Sequence, residues 1–347
     1  MDPLIKVGED WFASQGWTPF PFQREAWNAC FNRCSGLVNA PTGSGKTYSL
    51  LIPILLQTRK PPGGIHAIWI TPIRALTKEI ELSANRLIRE LDLKWSVGIR
   101  SGDTSTKERA RQRQSPPNLL ITTPESLHLL IAQKNHEQFF QLLQAVVVDE
   151  WHELLGSKRG VQVELALSRL RSVLPDLHVW GISATIDNMD QALNALTGMT
   201  MDRSKVRTIK ATEIEKRIEI ISVTPDDVHE MPWAGHLGIR LLDKVIDIVR
   251  KSNSTLIFTN TRSFAEIWYQ KMLDRAPELS GVMAMHHGSI SQELRTWVEE
   301  QLHTGNVKVV VCTSSLDLGV DFRPVETVIQ VGSPKGVARF LQRAGRS

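Results

Sequence analysis

Cysteine is scarce in this chain, three residues in 347, and the scarcity excludes a disulfide framework of the small secreted kind. Cys30 and Cys34 lie four apart in a helical pattern, Cys312 is remote, and no histidine cluster accompanies them, so a zinc site is not expected. Long apolar runs are missing too. The longest, around Leu50 to Leu56, holds Pro53 and falls far short of the roughly 20 residues that a membrane span needs. The stretch MDPLIKVGED carries neither the basic nor the apolar segment of a signal peptide, and a cytoplasmic setting is the expectation. Nor is there a strong charge of one sign: 41 basic against 37 acidic residues leave +4, too little to mark a nucleic-acid binder by itself. What is present, 41% hydrophobic and 22% charged residues, suits a globular enzyme, and the length predicts about two domains.

Apolar runs of strand length recur along the first half, each ending in small or polar residues: Leu37 to Ala40, Ala67 to Thr71, Leu119 to Thr123, Ala145 to Asp149 and Val179 to Ser183. Helical patterns separate them, as in Lys46 to Gln57, Arg74 to Glu90 and Val161 to Leu174. Strands that scarcely alternate, interleaved with helices, predict an α/β fold with a parallel sheet covered on both faces. A second series follows, Thr255 to Thr259, Val282 to Met285, Val307 to Cys312 and Val328 to Val331. The reading is two tandem α/β domains, residues 1–210 and 211–347, with a linker near Thr208 to Glu219 and an aperiodic loop over Thr224 to Gly238. Trp27, Trp69, Trp180 and Trp268 fall in apolar-periodic stretches and are expected in the cores. In such sheets ligands sit at the carboxyl ends of the strands, where the polar residues of this chain collect.

The first run leads into Ala40-Pro41-Thr42-Gly43-Ser44-Gly45-Lys46-Thr47 and then a helix. Strand, glycine-bearing loop and Gly-Lys-Thr opening a helix form the setting of a phosphate-binding loop, although Ala40 replaces the first glycine of the strict pattern. Glycines let backbone N–H groups turn toward phosphate oxygens at the positive end of the helix. Lys46 is expected to neutralise β- and γ-phosphate charge, and the Thr47 hydroxyl to ligate magnesium. Further along, Ala145-Val146-Val147-Val148 ends in Asp149-Glu150. Adjacent carboxylates repel unless a cation lies beside them, so Asp149 is expected to hold magnesium and Glu150 to orient and deprotonate an attacking water.

Asp149-Glu150-Trp151-His152 resembles the DExH box of superfamily 2 helicases, and further motifs of that superfamily follow in order. Pro21-Phe22-Gln23 looks like a Q-motif, Thr71 to Leu76 like motif Ia, Thr122 to Leu127 like motif Ib and Ser183-Ala184-Thr185 like motif III. Ile257 to Arg262 resembles motif IV, His286-His287-Gly288-Ser289 the segment after it, Thr313 to Asp321 motif V, and Gln342 to Ser347 the start of motif VI. Within the superfamily, the Trp11 to Gln23 region and the HHGS and QRAGRS strings are similar to the Lhr (large helicase-related) group, and to its DNA-ligase-associated branch.

That resemblance implies two RecA-like domains and an ATP- and magnesium-dependent motor moving 3′ to 5′ on DNA in repair. By resemblance, Gln23 reads the adenine, residues Thr42 to Thr47 with Gly319 and Asp321 hold the nucleotide, and Arg343 and Arg346 are arginine fingers. Thr71, Arg74, Thr123, Arg262 and Thr313 are expected on strand phosphates, and His152, Ser183, Thr185 and Gln342 in coupling the two activities. Backbone contacts carry no base information, so binding indifferent to sequence and weakened by salt is expected. The partner that the resemblance implies is a single-stranded DNA or a tailed duplex, with RNA as the alternative; DNA-repair ligase machinery is expected as an additional partner, and no membrane. A nucleotide-gated binding module without turnover is the competing class, against which Glu150 and the two arginines count. His286 and His287 form no metal set, and Lys107 to Arg113 reads as a solvated helix face. Ser347 falls within motif VI, so the family's later domains are expected to lie beyond this sequence.

Overall fold

A computed structural model describes residues 3–41, 43–186, 188–198, 202–213, 218–225, 238–317, 325–334 and 336–346, without the side chains of Arg74, Ala75 and Ala338. The chain divides into two compact units, Met1–Glu215 and Lys216–Ser347. Three expected site residues, Thr42, Gly319 and Asp321, lie outside the described residues, as does most of the loop expected over Thr224 to Gly238.

In the first unit, helices α1 (Pro3–Ser14) and α2 (Pro21–Phe31) precede β1 (Ser35–Asn39), α3 (Lys46–Leu56), β2 (Ala67–Ile70) and α4 (Arg74–Glu90). Then come β3 (Val97–Arg100), α5 (Thr106–Gln114), β4 (Leu119–Thr122), α6 (Pro124–Ile131), α7 (His136–Phe140) and β5 (Ala145–Val148). The unit closes with α8 (Trp151–Leu154), α9 (Lys158–Val173), β6 (His178–Ser183), α10 (Met189–Thr197) and β7 (Val206–Lys210). Its seven strands pair in the order β3-β4-β2-β5-β6-β1-β7, every pairing parallel.

Alternation along these strands feeds two cores. Val38, Trp69, Val147 and Trp180 face α1 to α4, while Ile68, Ile70, Val146 and Val148 face α8, α9 and the hydrophobic stripe of α10. Trp27, Trp69, Trp180 and Trp268 are all buried, as expected. Two edge strands escaped the reading of the sequence. β3 is half-buried on alternate residues and interrupted by Gly98, and in β7 only Ile209 is buried, so neither shows the unbroken apolar run of the central strands. Thr208 to Lys210, expected in a linker, therefore ends a strand paired to β1.

The second unit holds α11 (Leu242–Lys251), β8 (Thr255–Phe258), α12 (Arg262–Arg275), β9 (Met283–His286), α13 (Gln292–Thr304), β10 (Val309–Cys312), β11 (Thr327–Gln330) and α14 (Val337–Ala344). Its four-stranded parallel sheet runs β11-β8-β10-β9, with one core under Trp268 and Met272 and another under Phe258 and Leu302. The two parallel sheets with helices on both faces are the tandem RecA-like architecture expected above.

Candidate nucleotide and strand site

Parallel pairing brings the motifs that follow the strands of the first unit to one edge of one sheet. Across that edge stand the phosphate-binding loop after β1, Ser183-Ala184-Thr185 at β6, Asp149-Glu150 after β5, Thr71 after β2, Thr123 after β4 and Ser101-Gly102 after β3.

At the β1 end, Gly43 and Gly45 take left-handed φ values of +79° and +73°, and Gly45 opens α3 directly ahead of Lys46 and Thr47. A side chain at Gly45 would also bring its Cβ to 2.9 Å from Gln23 Nε2, so the loop is glycine-bound on two counts. Gln23, expected to read the adenine, spends both ends of its buried amide on the chain: Oε1 accepts from Phe20 N at 2.8 Å, and Nε2 donates to Gly45 O at 3.0 Å. It braces the loop. Ser44 likewise turns its hydroxyl inward, donating to Pro41 O at 2.7 Å.

The acid pair is buried. Asp149 N donates to Ile70 O at 2.8 Å, which pins the end of β5 to β2. Glu150 N donates to Asp149 Oδ1 at 2.9 Å, and Trp69 Nε1 to Asp149 Oδ2 at 3.2 Å. Burial, followed by the neighbouring Glu150 charge, pushes the Asp149 carboxyl up to about 7, against the opposing pull of the Trp69 hydrogen bond and the Lys46 ammonium. Glu150 takes φ +47°, ψ +46°, a left-handed conformation that costs a non-glycine residue about 1–2 kcal/mol. Its Oε2 is buried without a hydrogen-bond partner among the described residues, 3.5 Å from His152 Nδ1. The same His152 Nδ1 lies 3.0 Å from Ser183 Oγ, which also accepts from Thr185 N at 3.3 Å. Three of the four expected coupling residues are thus bonded in one chain, with burial holding the imidazole below its ordinary range. The fourth, Gln342 in the second unit, is buried with Oε1 unpartnered among the described residues.

At the β3 end is a cavity of about 340 Å³ lined by Pro72, Arg100, Gly102, Arg109, Thr123 and Ser126, among others. Arg100 is 7% exposed, yet among the described residues its guanidinium makes one long donation, to Arg109 O at 3.5 Å. Burial, then the charges of Arg113 and Arg109, lowers its pKa. Arg109 donates Nη2 to Ser101 O and Gly102 O, both at 3.0 Å, and its buried Nε has no hydrogen-bond partner among the described residues. Glu125 and Arg159 line the same cavity but pair with each other, so neither guanidinium of Arg100 and Arg109 has a carboxylate partner among the described residues, and a buried cation without one is costly. Arg159, by contrast, is paired with Glu125 through two bonds and donates Nη1 to Pro72 O at 2.8 Å, tying the turns after β2 and β4 together.

Several expected strand contacts are internal. Thr71 is buried with its hydroxyl bonded to Ile73 at 3.4 Å, and Thr123 Oγ1 donates to Ser126 Oγ at 3.2 Å, so both shape turns beside the cavity. The helix α5 is not simply solvated: Gln112 is buried and Arg109 turns inward, because this face packs on β3. Trp69, Arg100, Arg109 and Arg159 were not legible as site residues, since pairing across distant segments gives them their roles.

In the second unit, Arg262 is exposed at the start of α12 and donates to Ser289 Oγ at 3.0 Å, while Thr313 Oγ1 lies 3.5 Å from Ser315 Oγ. His286 bridges Ser315 Oγ at 2.7 Å and Glu299 Oε1 at 3.1 Å. Arg343 is 3% exposed and grips Asp317 with both arms, Nε to Oδ1 at 2.6 Å and Nη2 to Oδ2 at 3.0 Å. Nη1 donates to Gln330 Oε1 at 2.6 Å, and the guanidinium lies 4.6 Å from the Phe258 ring centre. Arg346 donates Nη2 to Asp317 O at 2.9 Å. The expected finger Arg343 is therefore committed to a carboxylate of its own unit.

The family model described as DEAD/DEAH box helicase matches residues 20–193, and that of the helicase conserved C-terminal domain matches residues 239–347. The ATP-dependent helicase Lhr-Core of Methanothermobacter thermautotrophicus is 37% identical over 329 residues, which are 90% of this chain and 38% of that protein. The Lhr helicase/uracil glycosylase of Escherichia coli is 30% identical over 406 residues, covering all of this chain and 26% of that protein. The chain thus spans well under half the length of these relatives. Among solved structures, Mycobacterium smegmatis helicase Lhr bound to ssDNA and AMP-PNP superposes with a TM-score of 0.78 at 30% identity, over 100% of this chain and 46% of that one.

Proposed function

Because the chain belongs to the DEAD/DEAH box helicases of superfamily 2 and is of the Lhr type, we propose that it is the ATP-hydrolysing motor of a DNA helicase. The observation that carries this reading is the convergence of Lys46 with Asp149 and Glu150 at one sheet edge, close enough for the ammonium to act on the Asp149 carboxyl. A buried acid pair beside a lysine and a glycine-bearing loop suits a cation bound together with phosphate. The donor set fits magnesium, a hard ion usually held by one or two carboxylates plus substrate phosphates rather than a cage of protein ligands.

Lys46 and the N–H groups opening α3 bind the phosphates, with Thr47 and Asp149 as the magnesium residues. Bound magnesium supplies charge neutralisation at the phosphates. Glu150 orients a water and takes its proton as the oxygen attacks the γ-phosphorus, the bond to the bridging oxygen breaks, and ADP and phosphate leave. Arg343 and Arg346 are the arginine fingers of this reading, and both rest on Asp317 of their own unit. Arg100 and Arg109 take strand phosphates in the cavity, beside Thr123, with Arg74, Arg262 and Thr313 as further contacts. His152, Ser183 and Thr185 carry the nucleotide state to that end of the sheet, with Gln342 as their counterpart in the second unit.

The substrate is a single strand or tailed duplex of DNA, tracked 3′ to 5′ in cytoplasmic repair, and the ligase-associated branch gives a repair ligase as the natural partner. What supports DNA is the likeness to Lhr, whose solved complex holds ssDNA. The test is steady-state ATP turnover with magnesium and matched DNA or RNA strands, beside Glu150→Gln. Strand-stimulated turnover lost in the variant, with DNA the better activator, is expected. RNA as the stronger activator would move the substrate, and turnover equal to that of the variant would leave only a binding module.

A further inference from the structure

Strands β2 and β5 lie side by side in the register Trp69↔Val147 and Ile70↔Val148. Alternation places Trp69, Val147 and Asp149 on one face, with Asp149 one step beyond the end of β5 and diagonal to Trp69. Only a long side chain bridges a diagonal pair, and the indole does so along the sheet, donating Nε1 to Asp149 Oδ2 at 3.2 Å with both residues buried. The remaining oxygen, Oδ1, accepts from Glu150 N at 2.9 Å. Each carboxylate oxygen is thereby held by one neutral donor and keeps a lone pair for another ligand. An indole N–H can only donate, so unlike a hydroxyl or imidazole it always presents a positive end to the carboxylate. The rings of Trp69 fill core space; its one polar atom is the feature that packing does not require.

We propose that Trp69 is a positioning residue for the metal-holding carboxylate, an outer-shell donor that fixes the plane of Asp149 so that its free lone pairs meet the magnesium of a bound nucleotide. The proposal rests on the reading of Asp149 as a magnesium residue, and the experiment separates the two.

Manganese, as a paramagnetic substitute for magnesium, is titrated into the whole chain with saturating ADP and followed by the electron paramagnetic resonance of the free ion. The variants are Trp69→Phe and Asp149→Ala, and ADP binding is measured separately in EDTA. Because phenylalanine also leaves a small void, a further form carries benzothienylalanine at position 69, a tryptophan isostere with sulfur in place of the N–H. Both position-69 forms are expected to bind manganese about 10-fold more weakly, the usual loss on removing an outer-shell partner, with metal-free ADP binding unchanged. If they bind manganese like the parent while Asp149→Ala does not, the positioning role is overturned and the site reading stands. If Asp149→Ala binds manganese like the parent, the site reading falls and takes the proposal with it. If the benzothienyl form also loses ADP binding in EDTA, Trp69 is a packing residue and the proposal fails.

Discussion

Asp149 and Asp317 are equally buried aspartates near the carboxyl edges of their respective sheets, and they are treated in opposite ways. Asp317 is saturated by guanidinium groups, with Arg343 on both oxygens and Arg339 at 3.3 Å from Oδ2. Asp149 is held by an indole and a backbone amide, and Lys46, though near, does not outweigh its burial and the adjacent Glu150. An acid whose countercharge is built in fastens two segments, here the residues after β10 to α14. One whose countercharge falls short is a place for a cation to arrive. Burial alone does not mark a functional acid; the imbalance of charge around it does.

The largest expected effect lies just beside that imbalance. Glu150→Gln keeps size and hydrogen bonding but removes the base, and ATP turnover should fall about 10²- to 10⁴-fold, with binding of magnesium–nucleotide retained in a calorimetric titration. Removing the saturated acid should act on the fold instead. Asp317→Ala leaves Arg343 buried and uncompensated, and should cost the second unit about 3–5 kcal/mol in denaturant unfolding, the usual consequence of breaking a buried pair from one side.

The comparison sharpens with Asp149→Asn in magnesium-free buffer at pH 8. The raised pKa means that the folded state disfavours the charge that the unfolded chain carries freely, so stability falls as pH rises toward 7 and the penalty is complete above it. The neutral isostere escapes that penalty, and its melting midpoint should rise; a clear drop would break the contrast. The smallest effect is expected at the anion cavity. Arg100→Ala and Arg109→Ala should each weaken single-strand binding and lower the slope of log affinity against log salt by about 0.7, as the loss of one phosphate contact predicts. Anisotropy titrations at several salt concentrations measure both.

The nucleotide end was legible because its chemistry is local: Gly43 and Gly45 lie in one loop with Lys46 and Thr47 opening the helix after it, and Asp149-Glu150 follow one strand end. Central strands were legible for a related reason, since residues buried on both sides leave unbroken runs such as Ala145 to Val148. The edge strands β3 and β7 touch fewer apolar neighbours and blend into their polar surroundings. The strand end was legible only in outline. Thr71 and Thr123, expected on strand phosphates, spend their hydroxyls on their own turns, whereas the guanidinium groups of Arg100 and Arg109 are brought to the cavity by the pairing of β3 with β4 and the packing of α5 on β3. Trp69 becomes a site residue only through its register with β5, 80 positions away in sequence.

The left-handed backbone at Glu150 gives the position a memory of its use. Glycine or asparagine would sit there more comfortably than glutamate, so the fold itself offers a standing reward for abandoning the carboxylate. In a lineage released from the need to turn over ATP, that reward should be collected early, and a glycine in this place would date the retirement of an engine whose outline still looks intact.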